Sequence, residues 1–303
     1  MTSEAGLATV SDLRRDDIRG PKGGPASIDP QTGLVLLCPH GHVRALGVAW
    51  GAVVMAPLDR AVRTRNLGLV QEGRRLVGLA SGQGIIARLL GGAAILFHCP
   101  DALAAGGYRE IADLDLVVAS GAQRRLASML VAAGYEPEPR FNALHGHSRM
   151  LFYGPLSQLD ILVGDFSMCH TIKLGARLLL DEPTLSVTDL LLTKLQIVQL
   201  NSKDAQDLAV LLREHAVEAG PDAADAIELA YLGRLVADDW GLWRTVTGTL
   251  QRLREEDYDA PVGHKIDAID DHIRSVPKSS RHKLRARVGD RIPWFKEPDE
   301  VHS

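Results

Sequence analysis

The sequence is short of cysteine, with three in 303 residues: Cys38, Cys99 and Cys169. So few thiols cannot build a disulfide framework, and they suit a reducing cytosol. A long apolar run is also missing. The longest, Val43 to Pro57, contains Arg44 and falls short of the roughly 20 residues that span a bilayer. Arg14-Arg15 is followed by Asp16-Asp17 and by no apolar segment, so it does not read as a twin-arginine export signal. Basic charge is not in excess. The formal net charge of −4 excludes a strongly basic nucleic-acid binder and leaves room only for a local basic patch. No internal repeat of solenoid length is visible. These absences point to a soluble, cytoplasmic protein with no membrane partner.

What is present is ordinary globular material. Hydrophobic residues make up 46% and charged residues 24%, and the length allows one large domain or two modest ones. Residues 1–34 hold Gly20, Pro21, Gly23, Gly24, Pro25 and Pro30 among scattered charges and read as weakly ordered. All of 1–54 is expected to be a peripheral extension, with Met55 a candidate true start before the first clean helix signal. From 55 to 185 strands and helices alternate. Ala87–Leu90 reads as a strand running into Gly91-Gly92 and a short helix, Leu114–Val118 as a strand, and Ala122–Ala133 as a helix stopped by Gly134. Met150–Tyr153 and Leu159–Val163 form an expected hairpin around Gly154-Pro155. Residues 186–277 carry helical apolar stripes, and 278–303 form a basic and then acidic tail. The expected class is α+β, an α/β half followed by a helical half.

The sharpest chemical feature is Asp113-Leu114-Asp115, because strand residues two apart share a face. Two neighbouring carboxylates repel unless a cation lies between them, and Mg²⁺ is the usual occupant where phosphate is the substrate. Asp160, embedded in Leu159–Val163, is a second costly strand carboxylate, whereas Asp165 falls on the opposite parity and in a loop. Three carboxylates on neighbouring strands suit metal-assisted phosphoryl transfer. Gly91-Gly92 lies 22 residues before Asp113 and lets the backbone and a helix N-terminus approach a phosphate. Lys194 sits in the apolar helix Leu190–Val198, where an ammonium either snorkels or meets an anion. Asp204 and Asp207 share a helix face, with Asn201 or Ser202 as its cap. On this reading alone, an apolar replacement of Lys194 should suit its stripe.

The order Gly91-Gly92, Arg109, Asp113-x-Asp115, Asp160, Leu190-x-x-x-Lys194, Lys203-Asp204-x-x-Asp207-Leu208 resembles that of the AbiEii-type nucleotidyltransferases of the DNA polymerase β superfamily, over about residues 60 to 215. The resemblance implies a minimal palm (a mixed sheet with flanking helices) and a helical C-terminal domain. It implies NTP as substrate, Mg²⁺ as cofactor and nucleotide transfer to RNA, a protein hydroxyl or a small molecule. Asp113 and Asp115 match the family's metal pair, to which the burial argument adds Asp160; Gly91 and Gly92 match the phosphate loop, with Arg109 and Lys203 among the nucleotide-binding positions. Lys194 matches the phosphate-binding lysine, and Asp204 or Asp207 the late acid. Gly92 stands where many superfamily members have serine. Toxin–antitoxin systems use this family, so a protein antitoxin is an implied partner.

Cys38-Pro39-His40-Gly41-His42, His98-Cys99, His145-Gly146-His147 and Cys169-His170 lack paired metal-ligand spacing and read as turn and core residues. Trp240 and Trp243 read as helix-packing anchors.

Overall fold

A computed structural model describes residues 60–104, 108–218, 220, 225–256 and 258–297, with two short strands upstream. The chain divides into two compact units, Met1–Trp50 and Gly51–Ser303. In the first, β1 (Ala26–Ile28) and β2 (Val35–Leu37) pair antiparallel. The proposed start at Met55 and the apolar stretch around it lie outside the described residues.

The second unit opens with α1 (Arg60–Gly82), β3 (Ala87–Leu90), α2 (Gly91–His98) and α3 (Pro100–Ala104). There follow β4 (Leu114–Val118), α4 (Gln123–Ala132), β5 (Glu136–Pro137), α5 (Pro139–His145), β6 (Arg149–Tyr153) and β7 (Gln158–Val163). Strands β3, β4, β7, β6 and β5 form one five-stranded sheet in that spatial order. Only the β4–β7 pair is parallel, so the sheet is mixed. A small ribbon of β8 (Phe166–Ser167) and β9 (Thr171–Ile172) leads to the helical half. That half holds α6 (Val187–Leu195), α7 (Ser202–Glu214), the short parallel pair β10 (Val217–Glu218) and β11 (Ile227–Glu228), then α8 (Leu229–Asp238), α9 (Trp240–Arg254), α10 (Ala260–Ser275) and α11 (Ser280–Val288). The class is the α+β arrangement expected from the sequence. No helix among the described residues is long and apolar enough to cross a membrane.

Alternation decides which face of the sheet does what. Leu114, Leu116, Leu159 and Ile161 are fully buried on one parity. Helix α1 lies against that face at Gly73, where an added Cβ would come within 2.5 Å of Leu89 Cδ2 and 3.2 Å of Leu114 Cδ1. The other parity carries Asp115, Val117, Asp160 and Arg149. The two halves interlock through α2, which packs on β4, α6 and α7. Asn201 caps α7 by accepting the Asp204 amide at 2.9 Å, which selects between the two cap candidates. The segment after Cys99 begins with α3. Glu214 holds its first turn by accepting from the Asp101 and Ala102 amides at 3.1 and 2.7 Å, and Ala102 is fully buried.

Because Gly73 sets the spacing between α1 and the sheet, Gly73→Leu should overpack that layer and cost about 1–3 kcal/mol. Urea denaturation read by circular dichroism checks this, with Gly78→Leu, at a position with open space around it, as the neutral control.

Candidate active site

Strand register brings the carboxylates together. Asp115 of β4 is the direct partner of Asp160 of β7, and Leu90, the last residue of β3, is the partner of Asp115 on its other side. Asp113 precedes β4 and is exposed. The turn after Leu90 therefore arrives beside Asp115. Gly91 adopts φ +66°, and an added Cβ would lie 2.0 Å from Asp115 Oδ2. Only glycine lets the carboxylate occupy that space. Leu90 is the N-cap residue of α2 and offers no side-chain cap, so the first amides of α2 are not satisfied by a capping side chain.

Part of the Asp115 side chain reaches solvent, yet the surrounding protein desolvates its carboxylate. Burial, and then the neighbouring charge of Asp160, raise its pKa to about 7, against an opposing pull from Lys194. Asp160 is placed differently from the sequence expectation. Its carboxylate accepts a forked pair of bonds from Arg149, at 2.8 Å from Nε to Oδ1 together with a close Nη2–Oδ2 contact. In the β6–β7 register Arg149 pairs with Leu162, so it reaches Asp160 diagonally on the same face. Among the described residues no three His, Cys, Asp or Glu side chains converge as a metal-ligand cluster. Asp115 and Asp160 are thus on one face, as parity requires, with Asp113 just before the strand and the Asp160 carboxylate held by Arg149.

The cationic side of the site is organised by Asp207. This fully buried carboxylate accepts from Arg109 Nε and Nη2 at 2.9 Å each, from the Tyr108 hydroxyl at 2.7 Å, and pairs with Lys194 Nζ at 2.9 Å. Lys194 also donates to Asp204 at 2.8 Å. Burial alone would push the Lys194 ammonium down and the Asp207 carboxyl up. For Lys194, Asp207 and Asp204 reverse that, and its pKa stands above the ordinary value. For Asp207, Lys194 and Arg109 do the same, and its pKa stands below the usual carboxylate range. Both candidate late acids therefore serve Lys194. Arg109 also abuts the glycine turn, its Nη2 standing 3.1 Å from where a Cβ on Gly92 would be. Lys203 is exposed on the first turn of α7 and takes no part in this network.

Four residues escaped the sequence reading. Arg149 lies one residue before the expected strand, and extending the alternation backward from Leu151 would have placed it on the carboxylate face. Tyr108 is fully buried beside Asp207. Asn66 of α1 donates to the Arg109 carbonyl and accepts the Ile111 amide, and Arg65 donates to the Ile111 and Ala112 carbonyls. Together they clamp the loop that delivers Arg109 and Asp113. The loop has no period, so nothing in its sequence announces these contacts. Among the histidines and cysteines set aside earlier, His98 bonds Thr184 at 2.7 Å and His170 bonds Thr245 at 2.8 Å.

Three outcomes follow. Asp207→Asn leaves Arg109 and Lys194 confronting each other in a buried place, and should cost about 3–5 kcal/mol in urea denaturation. The same reasoning reverses the expectation for Lys194→Met, which takes the cation from Asp204 and leaves Asp207 with Arg109 and Tyr108 alone, and should also destabilise. The raised pKa of Asp115 means that the folded state is penalised as this acid ionises: no penalty below about pH 4, growing to a plateau above about pH 7. Asp115→Asn should therefore gain stability relative to wild type between those values, measured by denaturation across pH without divalent cations.

No protein-family model matches this sequence, and no curated protein matches it. Among solved structures, the chain is similar to an antigenic nucleotidyltransferase-like protein from Paracoccidioides brasiliensis. The match covers 74% of this chain and 98% of that one, at 14% identity and a TM-score of 0.37.

Proposed function

We propose that this chain is a nucleotidyltransferase that moves NMP from an NTP to an acceptor hydroxyl, with pyrophosphate leaving. The observation that supports it best is the pairing of Asp115 with Asp160 on the face where the Gly91-Gly92 turn opens α2 and Arg109 and Lys194 stand alongside. A hard divalent cation fits the Asp113–Asp115 end of that face. The donors are carboxylate oxygens, and the raised pKa of Asp115 marks negative charge that Lys194 and Arg109 only partly offset. Asp113 and Asp115, joined by Asp160 once it is freed, would hold Mg²⁺, which supplies Lewis acidity toward phosphoryl oxygens.

The remaining work falls to the chain itself. The first amides of α2 bind phosphate oxygens, and Gly92 contributes backbone only, with no hydroxyl. Lys194 and Arg109, held side by side by Asp207, neutralise charge building on the departing pyrophosphate. Asp160 is the base for the acceptor hydroxyl. The acceptor is RNA, a protein hydroxyl or a small molecule, and a protein antitoxin as partner rests on the family resemblance alone. A second reading, a catalytically silent palm serving as a binding module, is favoured by one observation: each cation of the site is already paired with a carboxylate.

Incubation of the full chain with each α-labelled NTP, Mg²⁺ and total RNA or cell lysate separates the two. Label on RNA, protein or a small molecule, lost at least 10²-fold in Asp115→Asn, is the expected outcome. Absence of label with every NTP would favour the silent module instead.

A further inference from the structure

Arg149 belongs to neither the sequence motif nor the ion-pair network around Asp207. It stands at the start of β6, its side chain 36% exposed, with its guanidinium 5.9 Å from the centre of the Phe141 ring and forked onto Asp160. A guanidinium on a carboxylate is a strong, geometrically matched pair, and this one uses both oxygens of Asp160. Those oxygens are the lone pairs that a cation bound at Asp115 would otherwise recruit. The two partners compete for one ligand. Asp115 and Asp160 are adjacent in register, and Arg149 already occupies both oxygens of the second.

We propose that Arg149 is a positioning residue that sets the divalent-cation affinity of the site by withholding Asp160 from the donor set. This rests on the nucleotidyl-transfer reading, because it takes the Asp113–Asp115–Asp160 face to be a metal site. With Arg149 in place, Asp113 and Asp115 are the carboxylates that would be left to hold an ion. Asp160 joins when its guanidinium partner moves off, and Arg149 is exposed enough to do so without disturbing the sheet. The positive charge then leaves the cation's immediate neighbourhood as the third carboxylate enters it, so the charge of the site changes in one exchange. Arg149 thus has a role that a simple surface ion pair lacks.

The test is a titration of the full chain with Mn²⁺ alone, the free ion being counted by its electron paramagnetic resonance signal. Arg149→Met should bind Mn²⁺ about 10-fold tighter or more than wild type, the scale on which partners of metal ligands tune affinity. Arg149→Lys keeps a charge but cannot fork onto both oxygens, so it should fall between the two, and it serves if the methionine variant does not fold. Arg149→Met combined with Asp160→Asn should lose the gain. Unchanged Mn²⁺ affinity in the folded Arg149 variants overturns the proposal. If such variants still transfer label, the nucleotidyltransferase reading stands without it. If no chain binds Mn²⁺ and none transfers label, the reading of the site fails, and the proposal fails with it.

Discussion

Asp207 is fully buried and meets three donors from two separate parts of the chain: Tyr108 and Arg109 from the loop before β4, and Lys194 from the end of α6. A carboxylate in that position is tolerable only because two cations and a hydroxyl share it. Each cation in turn would be costly there without it. The pairings are mutually conditional, and they join the sheet half of the molecule to the helical half. Remove the carboxylate and the loop that presents Arg109 and Asp113 loses its anchor on α7, while Lys194 of α6 is left with Asp204 as its partner on α7. The spacing between Arg109, Lys194 and the strand carboxylates is therefore inherited from a single buried acid.

The same economy appears on the sheet. Asp115 has Asp160 on one side and the Gly91 turn on the other. Its neighbours are fixed by hydrogen-bond register, not by side-chain choice, so the carboxylates are held close despite their repulsion. The elevated pKa of Asp115 is the electrostatic record of that constraint. Arg149 relieves it from the Asp160 side. Anions that backbone geometry forces together are neutralised by whichever cation is nearest, and in the resting chain that cation is an arginine.

Much of this was legible in the sequence. Strand parity placed Asp115 and Asp160 together, the glycine pair located the turn, and the stripe around Lys194 foretold a buried ammonium needing an anion. These are periodic or locally extreme features, and periodicity survives without coordinates. What stayed hidden was non-periodic. The aperiodic loop from Tyr108 to Asp113 owes its shape to Asn66 and Arg65, more than 40 residues away. The Asp160–Arg149 pair depends on a hairpin register and on where β6 begins, and strand ends are the part of an element that composition marks least. Lys194 meets two of the acids its sequence context put forward as partners, Asp204 and Asp207, because α7 brings both across to the end of α6.

At position 91 an oxygen of Asp115 fills the volume where any other amino acid would carry its first side-chain carbon. The two positions are thus one object written at two places in the gene. Sequence drift that replaces Asp115 by a smaller residue opens room at 91, after which the positive φ alone restrains that position and asparagine becomes admissible. Drift at 91 while Asp115 remains pushes the carboxylate off its place. A substitution at either position is thus felt at the other, and the pair constrains this corner of the sheet as one unit.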